Sequence, residues 1–251
     1  MVYPGCWRVN RMLYRYEPTW TGLLSAFFEA WRDREALFSR QTEEDAPSLL
    51  ASVTVREDEA RADRLWKGMR KLSGALPDAL YQAWCSEWAD IERDMLETLR
   101  LGFSRGEDPL PLQMEQSVFR TNKASRYVGG LAHQYLGIIR FVRAGELYIA
   151  DIRPECDVLA MLGEHFHGRF NTHRLMIRDR TRGRALVSEP APGGWRIADL
   201  PPDQPPLPRG GEFEKMWKRY FEVIANPARM NRRLQQKFIP LKQRGEITEF
   251  K

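Results

Sequence analysis

Residues 138–152 read IIRFVRAGELYIADI, and residues 174–188 read RLMIRDRTRGRALVS. In the first stretch, apolar runs flank the turn-forming segment Arg143-Ala-Gly-Glu146, and in the second they flank Arg182-Gly183. A short glycine-containing segment between two apolar runs is typical of a β-hairpin. The sequence therefore predicts two hairpins, and these decide the fold of this part of the chain.

A helix is predicted between the two hairpins. Pro154 precedes it, and Leu159, Leu162 and Phe166 recur at helical spacing as far as about Phe170. A hairpin, a helix and a second hairpin predict an antiparallel sheet with helices on one side.

Helical periodicity dominates the chain before residue 110. Apolar side chains recur every three to four positions in residues 20–34, 57–72 and 77–103. Short strands are predicted at residues 11–16 and around Val53, where apolar and polar side chains alternate. The N-terminal half is therefore expected to be mostly helical.

The predicted domain organisation has two sections that pack as one compact unit. Residues 1–110 form a mainly helical section, and residues 111–251 form a basic α+β section. In the second section, residues 189–211 contain seven prolines and four glycines, which predicts a loop or tether, within which Trp195 and Ile197 could add a short strand. Two C-terminal helices, residues 212–225 and 227–238, are predicted to follow it and to pack with the antiparallel sheet. The predicted fold class is α+β.

Charge is distributed unevenly along the chain. Residues 1–110 carry 15 basic and 19 acidic side chains, whereas residues 111–251 carry 24 basic and 15 acidic ones. Most of the basic side chains are arginines, whose planar guanidinium suits bidentate contacts with phosphate. Any single arginine could equally be a solvated surface residue with no partner. The excess of basic side chains over the whole section, however, favours an anionic partner, and nucleic acid is the common one.

Several classes of protein are not indicated. No apolar run approaches the roughly 20 residues that span a bilayer. The three cysteines lie too far apart in sequence for a disulfide framework or a zinc motif. The first ten residues lack the features of a signal peptide, so we expect the cytoplasm. No sequence motif calls for a cofactor.

Residues 164–184 contain three of the four histidines and a dense cluster of arginines. Together with Arg140 upstream and a basic, amide-rich segment near the C-terminus, this cluster predicts an anion-binding face for nucleic acid. The predicted nucleic-acid-binding residues are Arg140, His165, Arg169, Arg174, Arg178, Arg229, Asn231 and Gln235.

Catalytic chemistry is less clearly indicated. His165 and His167 point to opposite sides of a helix, so they cannot share one metal ion, and we predict no metal site. Asp179 and His165 are candidates for an acid–base pair. Asp179 could equally form an ion pair with Arg178 or Arg180, which is the commoner arrangement. Whether the protein is an enzyme stays open.

Short segments over almost the whole chain resemble a bacterial family of unknown function, labelled "probable DNA metabolism protein". The matching segments are Gly22-Leu-Leu-x-Ala-x-Phe-Glu-Ala30, Gly137-Ile-Ile-Arg-Phe141, Leu147-Tyr-Ile-Ala150 with Pro154, His165-Phe-x-x-Arg-Phe170, Trp217-x-x-Tyr-Phe221, and Arg229-x-Asn231 with Gln235, Pro240 and Thr248-Glu-Phe250. Members of that family are neighbours of a radical-SAM protein, and some are fused to a uracil-DNA-glycosylase-like domain.

The resemblance implies DNA repair or nucleic-acid modification, without an established reaction. Our first hypothesis is a nucleic-acid-binding accessory protein that acts with a radical-SAM enzyme. The alternatives are an enzyme that acts on a nucleotide or DNA end through His165 and Asp179, and a structural partner that docks an acidic protein. The chain lacks the three-cysteine motif of the radical-SAM partner, so the resemblance implies the stand-alone accessory form.

Overall fold

The computed structural model of the protein describes residues 11–40 and 50–203, together with isolated positions between 207 and 245. The chain folds into two compact units, Met1–Tyr127 and Val128–Lys251. This division lies later in the chain than the section boundary predicted at residue 110. No helix of the described residues is long and apolar enough to cross a membrane.

The first unit is mainly helical. Its elements are β1 (Met12–Tyr16), α1 (Trp20–Glu29), a 3₁₀ turn (Ala30–Arg32), β2 (Leu37–Ser39), β3 (Ala51–Val55), α2 (Glu59–Leu72), α3 (Leu76–Cys85), α4 (Ile91–Arg105) and the start of α5 (Gln116–Ile138). The strands form a parallel three-stranded sheet in the order β2-β1-β3. The predicted helical N-terminal half is confirmed, whereas the three-residue strand β2 was not predicted.

The single helix predicted over residues 77–103 is wrong, because the chain breaks between α3 and α4. Glu87 and Asp90 in the break adopt positive φ angles of 55° and 60°. Ser86 Oγ donates to the Ala83 carbonyl (2.6 Å) and accepts from the Trp88 amide (3.3 Å), so this hydroxyl replaces helical hydrogen bonds. Apolar side chains continue at helical spacing through the break, so periodicity alone could not reveal it.

Among the residues described up to position 203, the second unit contains a five-stranded sheet, the end of α5 and one further helix. After the end of α5, its elements are β4 (Val142–Ala144), β5 (Leu147–Ile152), α6 (Leu159–Arg169), β6 (Arg174–Asp179), β7 (Arg184–Ser188) and β8 (Trp195–Asp199). The strand order is β4-β5-β6-β7-β8. Both predicted hairpins are confirmed, since β4 pairs antiparallel with β5 and β6 pairs antiparallel with β7.

The sheet of the second unit is mixed rather than wholly antiparallel. Strands β5 and β6 are parallel, with Leu147 opposite Arg174 and Ile152 opposite Asp179. The chain after β5 returns through α6, so β6 starts at the same edge as β5, as in other strand–helix–strand crossovers. Strand β8 lies within the proline-rich segment, and the two predicted C-terminal helices lie mostly outside the described residues.

The core of the second unit forms where α6 packs against the sheet. The side chains fully or almost fully buried there are Ala150, Ile152, Leu159, Leu162, Phe166, Leu175, Ile177 and Leu186. They come from alternate positions of β5 and β6, from one face of α6, and from Leu186 of β7, which is paired with Ile177. The alternation on the strands and the helical spacing on α6 are the patterns that the sequence predicted. The confirmed fold class is therefore a mixture of helices and sheet, with a C-terminal sheet packed against helices.

A matched pair of glycine substitutions in α6 tests this packing. A Cβ added to Gly163 would lie 2.6 Å from Cζ2 of Trp195 on β8, whereas one added to Gly168 would meet nothing within 4 Å. We expect Gly163→Ala to lower the free energy of unfolding by about 1–3 kcal/mol, because the indole must move. Gly168→Ala is expected to raise it by up to about 1 kcal/mol, because alanine favours the helix. Urea unfolding measures both, and equal effects of the two substitutions would contradict the close helix–sheet contact.

Candidate functional site

A groove of about 260 Å³ lies in the second unit, at the edge of the sheet where β5 and β6 begin. The residues that line this edge groove are Arg143, Glu146, Tyr148, Thr172, His173, Arg174 and Pro190. The parallel pairing of β5 and β6 creates it, because the segments that precede the two strands meet at one edge. Its volume suits a phosphate or a nucleotide-sized group rather than a large ligand.

Two arginines supply positive charge to the edge groove. Arg143 is exposed, its Nε donates to the Gly145 carbonyl (2.9 Å), and no carboxylate of the described residues pairs with it. Arg174 is 60% exposed, and its Nε lies 2.8 Å from Glu189 Oε2. An ion pair this exposed contributes little stability, so a phosphate could replace Glu189 at small cost.

The lining of the edge groove also includes an aromatic wall, formed by Tyr148 and His173. The Tyr148 ring meets the His173 ring edge-on, with 5.2 Å between their centroids. His173 Nδ1 lies 2.8 Å from Thr172 Oγ1, which orients the imidazole. Behind the wall, Phe170 packs against Tyr148 at 6.1 Å and against Phe141 at 5.1 Å. The wall is therefore held in place by a cluster of aromatic side chains.

This combination of groups is suited to binding. Guanidinium groups and a histidine provide donors for phosphate oxygens, and a supported aromatic ring offers a face on which a base can stack. Glu146 is the carboxylate in the lining, and it would oppose an anion placed next to it.

The structure places the predicted site residues in several different environments. Arg174 lines the edge groove. His165 and Arg169 are exposed on α6, where the His165 ring lies edge-on to Phe166 at 5.1 Å. Arg229, Asn231 and Gln235 lie outside the described residues.

Two predicted binding residues have structural contacts instead. Arg140 Nη1 donates to the carbonyls of Gly137 (3.1 Å) and Ile139 (3.4 Å), next to the end of α5, where carbonyls lack helical partners. Arg178 is only 2% exposed, and its Nε and Nη2 bind the two oxygens of Asp151 at 2.5 and 2.9 Å. The assignment of Arg178 to an anion-binding surface is therefore corrected: this guanidinium is buried and is paired with Asp151 of the neighbouring strand.

Asp179 is a turn-forming residue. It is fully buried, its Oδ1 accepts from the amides of Thr181 (2.8 Å) and Arg182 (3.2 Å), and its Oδ2 lies 3.1 Å from Arg182 Nη1. Burial raises the pKa of Asp179 above that of an ordinary carboxyl, although these hydrogen bonds act in the opposite direction. The ion-pair partner is thus Arg182, rather than Arg178 or Arg180. With both oxygens bound within its own turn, Asp179 offers no accessible carboxylate for acid–base chemistry with His165.

Other polar groups of the predicted cluster also have structural contacts. His167 Nδ1 lies 2.8 Å from Ser188 Oγ, between α6 and β7. Within the part of the chain that the structure describes, no group of three or more His, Cys, Asp or Glu side chains could hold a metal ion.

Sequence reasoning missed most of the edge groove. Arg143 was interpreted only as part of a turn, and Tyr148 only as an apolar strand residue. His173 and Thr172 belong to the cluster of residues 164–184, but nothing in their spacing shows that they face Tyr148. The missing information was the parallel pairing of β5 with β6.

Comparison with known proteins identifies one family. A model of the family described as a domain of unknown function, DUF4130, matches residues 89–249. The matched range includes the edge groove and every predicted site residue. Among curated proteins, none matches the chain.

Proposed function

The chain belongs to the DUF4130 family of domains of unknown function, and we propose that it binds nucleic acid through the edge groove as an accessory protein of DNA repair or nucleic-acid modification. The observation that carries the proposal is the convergence of Arg143, Arg174 and His173 with the ring of Tyr148 around one groove. Cations beside a supported aromatic ring are the usual means of binding a nucleotide strand.

The charge of the chain supports the same partner. The basic excess lies after residue 110, the part of the sequence that contains the edge groove. A nucleic acid is attracted to such a surface over a distance comparable with the Debye length, so association is expected to be rapid at low salt. Exposed Arg169 on α6 would add to this attraction without a specific contact.

The proposed partner enzyme is a radical-SAM protein, and this part of the proposal depends on the resemblance of the sequence segments alone. Mixing the two purified proteins and measuring their elution by size-exclusion chromatography tests it. A complex supports the accessory role. Separate elution, with and without DNA, would limit the proposal to nucleic-acid binding.

Nucleic-acid binding is tested with a fluorescently labelled single strand, a duplex of the same sequence and the corresponding RNA. Fluorescence anisotropy of the intact protein is expected to show binding at about 50 mM salt that weakens about tenfold or more by about 200 mM, because several phosphate contacts release counterions. Comparison of the probes identifies the preferred strand type. Absence of binding to all probes at low salt would contradict the proposal.

A further inference from the structure

An aromatic pair lies on the surface of the first unit, away in sequence from the edge groove. The rings of Trp88 and Tyr127 have centroids 5.6 Å apart and an interplanar angle of 42°. Tyr127 is 38% exposed, and Trp88 is half-buried. Lys123 Nζ lies 6.0 Å from the centre of the Trp88 ring, a cation–π distance. We call Trp88 and Tyr127 the aromatic platform.

The loop that presents Trp88 has an unusual backbone. Glu87 and Asp90, on either side of it, both adopt left-handed conformations, with φ angles of 55° and 60°. Residues other than glycine adopt this backbone region at a cost in conformational energy, and residues strained in this way cluster at functional sites. The break between α3 and α4 therefore places Trp88 at the surface. A continuous helix would have oriented this side chain differently.

The face of α5 beside the aromatic platform is basic and aromatic. Phe119, Lys123 and Tyr127 follow one another at four-residue spacing, and Arg126 comes three residues after Lys123. All four are exposed, Phe119 by 50%. Among the described residues, no carboxylate pairs with Lys123 or Arg126. Arg120 differs, because it binds Asp94 at 3.1 Å and the Ala89 carbonyl at 3.0 Å.

We propose that the aromatic platform is a base-stacking site for single-stranded nucleic acid. An unstacked base would lie on the ring of Tyr127 or Trp88, and Lys123 and Arg126 would contact the phosphates beside it. The carboxylates of Glu87 and Asp90 belong to the loop, so phosphates are expected on the α5 side of the rings. The inference rests on the proposed function for the class of partner, but it concerns residues in the other unit.

Charge favours a nucleic acid over a protein as the occupant. A protein-docking surface is expected to be depleted of charge at its centre, whereas here the ammonium group of Lys123 lies over the Trp88 ring. Stacking on an aromatic face needs no specific base, since every base has a π-face. The expected ligand is therefore a flexible single strand without strong sequence preference.

An abasic oligonucleotide separates stacking from charge, because it keeps the phosphates and lacks the bases. We expect the intact protein to bind an oligo-dT strand about tenfold more tightly than an abasic strand of equal length, measured by anisotropy. Tyr127→Ala is expected to weaken oligo-dT binding about five- to tenfold and to leave abasic binding unchanged. Tyr127→Phe, which keeps the ring, is expected to bind as the unaltered protein does. Lys123→Ala is expected to weaken the binding of both probes by the same factor.

The outcomes separate this inference from the proposed function. If Tyr127→Ala binds oligo-dT as tightly as the unaltered protein, or loses affinity for both probes equally, the stacking site is overturned while nucleic-acid binding stands. If the unaltered protein binds neither probe at low salt, both proposals fail. Because Tyr127 is exposed, its substitution should leave the fold intact, and circular dichroism with a melting curve checks this for each variant.

Discussion

Replacing Arg178 with alanine is expected to lower the free energy of unfolding of the second unit by about 3–5 kcal/mol, because the change leaves Asp151 as an unpaired, nearly buried carboxylate. Arg178 and Asp151 lie opposite each other on the parallel strands β6 and β5. Their side chains are 3% and 11% exposed, and two hydrogen bonds of 2.5 and 2.9 Å join them. Water cannot readily take the place of the lost guanidinium at this depth.

Urea unfolding of Arg178→Ala measures this effect, with Arg196→Ala as the matched control. Arg196 is exposed on β8, so its loss is expected to change the free energy of unfolding by less than about 0.5 kcal/mol. The double variant Asp151→Ala with Arg178→Ala should be more stable than the sum of the single changes predicts, because neither buried charge remains. Equal stability of Arg178→Ala and Arg196→Ala would show that the buried pair is not structural.

Replacing Arg143 and Arg174 together is expected to weaken nucleic-acid binding by roughly a hundredfold. A hydrogen bond to a charged group contributes about 1.5–3 kcal/mol, so each arginine accounts for about a factor of ten. Both side chains are exposed, so the double variant should keep its fold. Loss of Arg174 also releases Glu189, but their exposed ion pair contributes little to stability.

The controls for this variant lie in the same unit. Arg196→Ala removes the same charge from an exposed site on β8 and is expected to change the affinity by less than about twofold. Glu146→Gln removes the carboxylate from the lining of the edge groove, and a modest increase in affinity is expected. An arginine double variant that binds as tightly as Arg196→Ala would exclude the edge groove as the site.

Local sequence patterns predicted the strands and helices of the second unit well. The turn at Arg182-Gly183 located the second hairpin, and the spacing of Leu159, Leu162 and Phe166 located α6. Turns and amphipathic helix faces are determined by residues that are close together in the sequence, so these signals can be recognised from the sequence alone. The parallel pairing of β5 with β6 depends instead on the path of the chain across α6, which no local pattern records.

The same limit explains the errors in the predicted site. An arginine-rich cluster looks uniform in sequence, but Arg178 is buried against Asp151 while Arg174 is exposed at the edge groove. Both arginines lie on β6 and are separated by an even number of positions, so the alternation of a strand places them on one face and cannot distinguish them. Burial instead changes along the strand, from its exposed start to its buried end, and this change depends on which strands lie beside it.

The most direct test of nucleic-acid binding through the edge groove is the slope of log affinity against log salt for a single strand, measured for the intact protein and for the Arg143→Ala/Arg174→Ala variant. Each phosphate contact contributes about −0.7 to this slope for a single strand. We predict a negative slope for the intact protein and, for the variant, a slope shallower by about 1.4, together with weaker binding at every salt concentration. Identical slopes and affinities, or no binding by the intact protein, would contradict nucleic-acid binding through the edge groove.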